Sequence, residues 1–440
     1  MNNPYFSSEE GHHQRGNKTP ALNENLLNQV LATANVHAAW KQVRRNKGVA
    51  GIDGVSIDDF AEIMRPQWHK IKAQILSGSY RPQPVKRVRI PKDDGSERSL
   101  GIPNVIDRLI QQAIVQVLTP LFDPTFSQHS YGFRPNLSAK YAVQEVQGFC
   151  QQKRQIAVDI DLSKFFDRVN HDLLMTLLGR RIKDKGLLKL IGSYLRAGIM
   201  DGKQFQPSRE GVPQGSPLSP LLSNVMLDLL DKELEKRGHK FARYADDVII
   251  MVKSRRAGER VLKSLTRFIE EDLKLKVNEQ KSRVVKSSQA KFLGFSFKGK
   301  YIVWHPKSLE KFKRRVRELT NRTWGVSMRV KIQQLSIYCR GWINYFGIAN
   351  QYQQTVDLDG WIRRRIRMCY WKQWRKPRTK IRNLMKLGIE KHAAILAGLS
   401  SKSYWRNSKT PCINKGLGKE YLKKQGLYSL RDGWIKCHYG

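Results

Sequence analysis

Two adjacent aspartates, Asp246 and Asp247, strongly restrict how this chain can fold. The surrounding sequence FARYADDVIIMV is apolar on both sides of the pair, which predicts two short strands joined by a turn that carries both carboxylates. Such a turn confines two negative charges to a small volume, and their repulsion is costly unless a divalent cation neutralises it. Mg²⁺ suits carboxylate and phosphate oxygens. Taken alone, the pair also fits a solvated turn, because aspartate is common in turns.

A second acidic segment lies upstream, in IAVDIDLSKFFDRVNHD (156–172). Its alternating apolar residues predict a strand with Asp159 and Asp161 on the same side, continuing into a helix that carries Phe165 and Phe166. An aspartate at the end of this strand, facing the hairpin across a sheet, would complete a three-carboxylate site for two metal ions roughly 3.5–4 Å apart. Such a site aligns an attacking hydroxyl and stabilises a leaving pyrophosphate. Asp161 is the stronger candidate, whereas Asp159 also fits a surface acid or a partner of another side chain.

The segment GVPQGSPLSPLLSNVML (211–227) is a loop rich in glycine and proline that leads into a helix. Gly211 and Gly215 would let the backbone approach a planar partner closely, and the Gln214 amide offers hydrogen bonds. Further upstream, VKRVRI (85–90) predicts a strand, and Asp94-Gly95 predicts the turn of a hairpin with the following SLGIP.

The remaining periodicity predicts an α+β fold followed by a helical region. Residues 150–300 alternate between helices and antiparallel strands, and from about 305 the chain is helical, with short basic helices after 378. Trp361, Trp371 and Trp374 stand at helical spacing, which favours a core over a base-stacking surface. Helical stripes are expected at five places: about 26–46, 57–77, 107–122, 328–347 and 357–374.

The net charge of +42 and the pI near 10.2 indicate a polyanionic partner, of which nucleic acid is the commonest. Residues 301–440 hold 31 basic and 7 acidic residues, so more than half of the excess charge lies in the last third. Hydrophobic residues make up 40% of the chain, enough for a large core, which argues against a small basic structural protein. The five cysteines lack metal-binding spacing, and no apolar run of about 18 residues occurs. These features predict a cytoplasmic protein without a zinc site, a disulfide framework or a membrane partner.

Several motifs in order resemble a known family. The acidic strand with its Phe-Phe pair, PQGSPLSP, YADD, LKVNEQKS (275–282) and FLGF (292–295) resemble the palm signature of reverse transcriptases. The segments IPKDDGSERSLGIP (90–103), YGFRPN (131–136) and GWINYF (341–346) resemble specifically the group II intron-encoded family. The resemblance extends over about residues 27–435.

This resemblance implies a right-hand polymerase with fingers, an antiparallel-sheet palm, a helical thumb or maturase domain, and a basic C-terminal DNA-binding region. The implied boundaries are 1–24 for a flexible tail, 25–150 for the fingers, 151–303 for the palm, 304–376 for the thumb and 377–440 for the basic region.

By the same resemblance, the catalytic residues are Asp161, Asp246 and Asp247, which would bind Mg²⁺ together with Leu162. Phe166 would stack under the deoxyribose and clash with a 2′-hydroxyl, so that deoxynucleotides are selected.

Five further residues are expected around the nucleotide. Lys92 and Arg98 would hold the incoming triphosphate, one as a point charge and the other as a fork on phosphate oxygens. Gln214 and Gly215 would line the nucleotide pocket. Lys281 would lie near the pyrophosphate as a candidate general acid.

The nucleic-acid contacts are expected elsewhere. Arg134 would contact the template or support the structure, and the cluster Arg363, Arg364, Arg365 and Arg367 would contact phosphates. The implied partners are dNTPs, an RNA template, a DNA primer or target, and the intron RNA, and a homodimer is compatible with the sequence.

Many members of this family end in an HNH endonuclease with paired cysteines and histidines. Here only Cys412, Cys437 and His438 follow residue 400, with a different spacing, so the endonuclease is expected to be absent. The implied function is cDNA synthesis from an available primer, with assistance to intron splicing and retrohoming. Two alternatives stay open: a non-catalytic RNA-binding splicing cofactor, and a domesticated reverse transcriptase in DNA repair or phage defence.

Overall fold

The computed structural model describes residues 25–91, 95 and 97–440. The tail expected over 1–24, Lys92 and Asp94 of the predicted hairpin turn lie outside these residues. The chain forms two compact units. The first combines the described residues up to Phe126 with Ser163–Leu229 and Ile269–Lys276, and the second combines Ser127–Leu162, Leu230–Phe268 and Val277–Gly440.

The described residues form helices and strands in alternation, then helices alone. The helices are α1 (Leu26–Val30), α2 (Thr33–Arg45), α3 (Phe60–Met64), α4 (Trp68–Ser77), α5 (Val105–Phe122), α6 (Ala139–Gln151), α7 (His171–Gly179), α8 (Lys185–Leu195), α9 (Ser219–Lys236), α10 (Arg255–Glu271), α11 (Pro306–Leu319), α12 (Met328–Phe346), α13 (Tyr352–Gln373), α14 (Pro377–Lys386), α15 (Lys391–Gly398), α16 (Tyr404–Asn407), α17 (Pro411–Gly416), α18 (Lys419–Lys424) and α19 (Leu430–Tyr439). The strands are β1 (Val85–Pro91), β2 (Glu97–Ile102), β3 (Ile156–Ile160), β4 (Ile199–Asp201), β5 (Gln204–Gln206), β6 (Lys240–Tyr244), β7 (Asp247–Val252), β8 (Arg283–Lys286), β9 (Phe295–Lys298) and β10 (Tyr301–Trp304). In the described part of the chain, no helix is long and apolar enough to span a bilayer.

The first unit contains a four-stranded sheet in the order β2-β1-β4-β5. β1 and β2 form the predicted antiparallel hairpin, whose last pair is Pro91 with Glu97, and β4 adds a short parallel pairing to β1. The helix predicted over 107–122 is confirmed as α5. It is buried on most of its surface because α1, α2 and α3 pack around it.

Two predicted helices in this unit are interrupted, and the predictions of continuous helices were wrong. The helix expected over 26–46 breaks between α1 and α2, where the Asn35 side chain donates to the carbonyl at the end of α1 at 2.9 Å. The helix expected over 57–77 breaks between α3 and α4 at Pro66. Proline has no N–H to continue the helical hydrogen bonds, so the interruption has a simple physical cause.

The second unit contains a four-stranded antiparallel sheet in the order β6-β7-β3-β8. α6 packs on β6, and β7 is buried at five successive positions, as expected for a strand covered on both faces. The antiparallel α+β arrangement predicted for residues 150–300 is thereby confirmed.

After the β9–β10 hairpin the chain is helical, as predicted, and these helices enclose a core. Trp371 is fully buried, which confirms the core interpretation for this residue, whereas Trp361 and Trp374 are partly exposed and pack against the same core. The last helix belongs to this core as well, since the Trp434 indole donates to the Ala349 carbonyl at 2.7 Å. Residues after 377 are thus an integral part of the second unit.

Candidate active site

The sheet of the second unit brings the three predicted aspartates to one edge. β6 and β7 are joined by a tight turn, so Asp246 lies in the turn and Asp247 begins β7. β3 runs antiparallel beside β7 with Ile160 opposite Val248, and Asp161 follows β3 directly. Because antiparallel neighbours place the end of one strand beside the start of the next, Asp161 and Asp247 lie at the same edge.

The carboxylates at this edge influence one another. Burial, followed by the charges of Asp159 and Asp246, raises the pKa of Asp247 to about 7. Burial also raises the pKa of Asp159, and the charge of Asp161 adds to that rise. Arg283 opposes it, with its guanidinium 3.6 Å from the Asp159 carboxylate. Asp159 is therefore the ion-pair partner of Arg283, and a partner of another side chain is one of the two roles that its sequence position allowed.

The donor set at this edge suits a divalent cation, because it consists of hard carboxylate oxygens whose mutual repulsion a cation would relieve. Within residues 25–91, 95 and 97–440, no three His, Cys, Asp or Glu side chains are close enough together to enclose a metal ion. Asp161, Asp246 and Asp247 are each partly exposed, and substrate phosphates would supply further ligands. Leu162, also expected at the metal, is buried and forms a β-bridge with Val277.

A buried ion pair that the sequence did not reveal holds the acidic turn. Arg243 and Asp231 are both 0% exposed, with 2.5 Å between Nη2 and Oδ2. Arg243 also donates to the Ser130 hydroxyl at 2.7 Å and to the Ala245 carbonyl at 3.0 Å. Ala245 has a φ of +58°, a conformation that is unfavourable for a side-chain-bearing residue. One signal was available: Arg243 shares a face of β6 with the buried Phe241, and a charge on a buried face needs a partner.

The YGFRPN segment supports the same turn. Gly132 lies against the backbone of Ala245, and a Cβ at this position would overlap the Ala245 nitrogen, so only glycine fits. Arg134 donates to the carbonyls of Ser127 and Ser130 at 2.6 and 2.9 Å. Arg134 therefore has the structural role considered for it, while its contact with a template stays a prediction.

In the first unit, three residues expected at the nucleotide lie together. The Arg98 Nε donates to the Gln214 Oε1 at 2.9 Å, and the Gly101 N–H donates to the Gln214 carbonyl at 2.8 Å. Gly215 follows with a φ of +112°, a conformation that favours glycine. Lys92 lies outside the described residues. Lys281 belongs to the second unit, where it is exposed.

Phe165 and Phe166 differ in exposure. Such a difference is needed if only one of the two rings contacts the nucleotide sugar. Phe165 is buried, Phe166 is partly exposed, and their rings meet edge to face with centroids 5.2 Å apart. The helix expected to carry them is wrong: residues 165–167 form a 3₁₀ turn, and α7 begins at His171. The Asn170 side chain caps α7 by accepting from the backbone N–H of Leu173, the third residue of the helix, which sets the helix start there.

The arginines of α13 make contacts within the protein. Arg364 lies 3.8 Å from the ring centroid of Trp405, and Arg365 and Arg367 donate to groups of other segments at 2.5 and 3.0 Å. Burial, followed by the charge of Arg363, lowers the pKa of Arg367 to about 10. These guanidiniums tie α13 to its neighbours, and their contact with phosphates stays a prediction.

An open cavity of about 580 Å³ beside α13 combines cationic and aromatic side chains. Arg317 and Arg322 are exposed and lie near aromatic rings, 5.8 Å from Trp361 and 5.6 Å from Tyr404. Neither has a carboxylate partner within the described residues. The cavity is lined by Arg317, Asn321, Arg322, Trp361, Arg365, Met368 and Trp405.

Comparison with known families agrees with this geometry. Residues 90–297 match the family described as "Reverse transcriptase (RNA-dependent DNA polymerase)", a range that contains the three aspartates. By class the chain is an RNA-directed DNA polymerase, and enzymes of this class generally use divalent metal ions. Residues 309–388 match the "Group II intron, maturase-specific domain", a range that contains α12 and α13. The chain belongs to the group II intron-encoded reverse transcriptase and maturase family.

Two relatives with similar sequences support the assignment over part of their length. "Protein YkfC" of Escherichia coli (strain K12) is 33% identical over 272 residues, 53% of this chain and 71% of YkfC. "Group II intron-encoded protein LtrA" of Lactococcus lactis subsp. cremoris is 30% identical over 330 residues, 60% of this chain and 54% of LtrA. This chain thus spans about half of LtrA. Among solved structures, a partial Cas6-RT-Cas1–Cas2 complex is 28% identical with a TM-score of 0.37, covering 56% of this chain and 43% of that one.

Proposed function

We propose that the chain copies RNA into cDNA from a DNA primer, with two Mg²⁺ ions held by Asp161, Asp246 and Asp247. The observation that carries this proposal is the arrangement of the three aspartates at one edge of β3 and β7. Burial, followed by neighbouring negative charge, raises the pKa of Asp247 to about 7 there, and a bound cation would compensate both effects. When bound, the metal ions would lower the pKa of the primer 3′-hydroxyl and neutralise charge on the reacting phosphates.

The remaining residues would bind and orient the nucleotide. Arg98, held by Gln214, would present its free N–H groups to triphosphate oxygens, and Lys92 would add a point charge. Phe166 would lie under the sugar and exclude a 2′-hydroxyl. As the primer oxygen bonds to the α-phosphorus and pyrophosphate leaves, Lys281 would donate a proton to the leaving group.

The test is primer extension on an RNA template with Mg²⁺. Asp161→Asn and Asp246→Asn should each lower the rate more than about tenfold with little change in stability, because one ligand charge is removed. Asp272→Asn, at an exposed position in the first unit, is the matched control and should extend like wild type. An Asp246→Asn variant that retains more than a tenth of the rate would remove that residue from the ligand set.

The maturase-specific range, residues 309–388, would bind the intron RNA and so assist splicing and retrohoming. The protein would act in the bacterial cytoplasm, where both the transcript and the chromosome are present. The Arg317–Arg322–Trp361 cavity supports this proposal, because it offers guanidiniums without a carboxylate partner beside an aromatic ring. Arg317→Gln/Arg322→Gln should weaken RNA binding and flatten its salt dependence, by roughly one unit of slope for each phosphate that the variant no longer binds. Arg256→Gln, another exposed arginine of the second unit, is the control. Equal salt-dependence slopes for wild type, the double variant and the control would refute RNA binding at this cavity.

A palm variant separates catalysis from RNA binding. Asp246→Asn/Asp247→Asn should be inactive in cDNA synthesis yet bind its intron RNA and promote splicing at near wild-type level, because RNA binding uses distributed positive charge rather than bound metal. Filter binding, splicing and primer extension on the same preparations give the answer. If wild type binds no RNA encoded beside its gene, the maturase role is refuted, and a repair or defence polymerase takes its place.

A further inference from the structure

The FLGF segment forms an unusual turn. Phe292 and Phe295 pair through two backbone hydrogen bonds, 3.0 and 2.9 Å long, and enclose Leu293 and Gly294. Both enclosed residues have positive φ, +51° and +87°. Glycine adopts this conformation freely, but leucine does so at a cost of about 1–2 kcal/mol. Such a residue persists where its surroundings hold it, and it is a reason to look for a function.

Two helices of the region after residue 305 hold this turn. The Tyr345 hydroxyl of α12 donates to the Leu293 carbonyl at 3.0 Å, and the Tyr345 ring lies 5.7 Å from that of Phe295. The Gly294 carbonyl accepts from the Ser308 hydroxyl of α11 at 2.9 Å. Both carbonyls of the turn are therefore fixed by side chains that lie outside the matched polymerase range 90–297.

The same turn contacts the acidic edge. The Leu293 backbone N–H donates a hydrogen bond to the carboxylate of Asp247. The left-handed conformation of Leu293 thus directs its N–H to Asp247 while its carbonyl points to Tyr345. A tyrosine of the maturase-specific range is connected to a candidate metal ligand through one strained residue.

We infer that Tyr345 is a positioning residue for the polymerase reaction: through Leu293 it orients the Asp247 carboxylate for metal binding. This inference rests on the proposed two-metal site. It makes α12 part of the polymerase machinery as well as of the maturase region. Without the hydroxyl, the left-handed residue would lose one of its supports, and the N–H that orients the carboxylate would be held less firmly.

Tyr345→Phe is the direct test, because it removes one hydroxyl and keeps the ring in place. Tyr338→Phe is the matched control: Tyr338 lies two turns earlier on α12 and stacks on Phe312. Two quantities are measured on the full chain, the affinity for Mn²⁺ by electron paramagnetic resonance and the Mg²⁺ dependence of primer extension.

For Tyr345→Phe we expect the half-saturating metal concentration to rise about fivefold in both measurements, the effect of one hydrogen bond. The rate at saturating Mg²⁺ should stay within about twofold of wild type, and intron RNA binding should not change. A merely structural role would lower thermal stability without moving the metal dependence.

Two outcomes overturn the inference or its basis, and they can be told apart. If Tyr345→Phe and Tyr338→Phe bind Mn²⁺ and respond to Mg²⁺ alike, Tyr345 does not position Asp247. If wild type itself neither extends primers nor binds Mn²⁺ more tightly than Asp247→Asn, the proposed two-metal site fails, and the inference fails with it.

Discussion

Replacing Asp231 by alanine should destabilise the second unit by about 3–5 kcal/mol, the cost of leaving one partner of a buried ion pair uncompensated. The structure places this pair at the upper end of that range. Both side chains are 0% exposed, and Asp231 accepts three hydrogen bonds from Arg243, of 2.7, 3.0 and 2.5 Å. The Ser130 hydroxyl and the Ala245 carbonyl, which also accept hydrogen bonds from this guanidinium, carry no charge that could replace that of Asp231.

Urea denaturation followed by tryptophan fluorescence measures this destabilisation, since eight of the ten tryptophans belong to the second unit. With an m-value of about 3 kcal/mol/M, the midpoint should fall by about 1–2 M. Glu259→Ala is the control. It breaks the Arg255–Glu259 pair, whose side chains are 76% and 57% exposed, and should leave the midpoint almost unchanged.

The double variant Asp231→Leu/Arg243→Met should recover most of the stability, because an apolar pair of similar volume can replace a buried ion pair. It should not recover full cDNA synthesis. Without the guanidinium, the Ala245 carbonyl loses its hydrogen bond, and the turn that carries Asp246 loses a constraint. This reasoning would be refuted if Asp231→Ala destabilised the protein by less than about 1 kcal/mol. It would also be refuted if the double variant were no more stable than Asp231→Ala.

Three further predictions follow from particular residues. Phe166→Val should raise the incorporation of CTP relative to dCTP, and an unchanged ratio would exclude Phe166 as the sugar contact. Phe165→Val should mainly lower the stability of the protein, because the Phe165 ring is buried. Deleting residues from 378 onward should lower the melting temperature sharply, because it removes Trp434 and other core side chains; a deletion protein as stable as wild type would contradict the packing. In metal-free buffer, the pKa of Asp247 is about 7 in the folded protein and about 4 in the unfolded chain. Because the folded state holds this proton more tightly, the stability of the protein falls as the pH rises from about 4 to about 7. Asp247→Asn should therefore melt above wild type at pH 8 and match it near pH 4.

The sequence predicted most elements whose signal is local. The β1–β2 hairpin, the long apolar helix α5 and the acidic hairpin of β6 and β7 all follow from periodicity and turn residues close to one another in the chain. The errors also have local causes, such as Pro66, which divides a predicted helix, and Asn170, whose side chain sets the start of α7 later than expected.

The supports of the acidic edge could not be predicted in this way, because their partners are distant in sequence. Ser130 is 113 residues from Arg243. The hydroxyl of Tyr345 reaches a carbonyl 52 residues away. No periodicity relates such positions, and only the folded second unit brings them together. A buried-face arginine in β6 signals that a partner exists, but it does not identify Asp231.

The chemistry of the acidic edge and the fold of the maturase region are therefore linked. The three aspartates come from two neighbouring strands, yet the turn that carries Asp246 is held by Arg243, and the carboxylate of Asp247 is held by the FLGF turn under α11 and α12. Carboxylates that repel one another need fixed surroundings to present their oxygens to a cation in one geometry. In this chain those surroundings extend past residue 305. The three aspartates and the maturase-specific range therefore belong to one packed unit rather than to two separable modules.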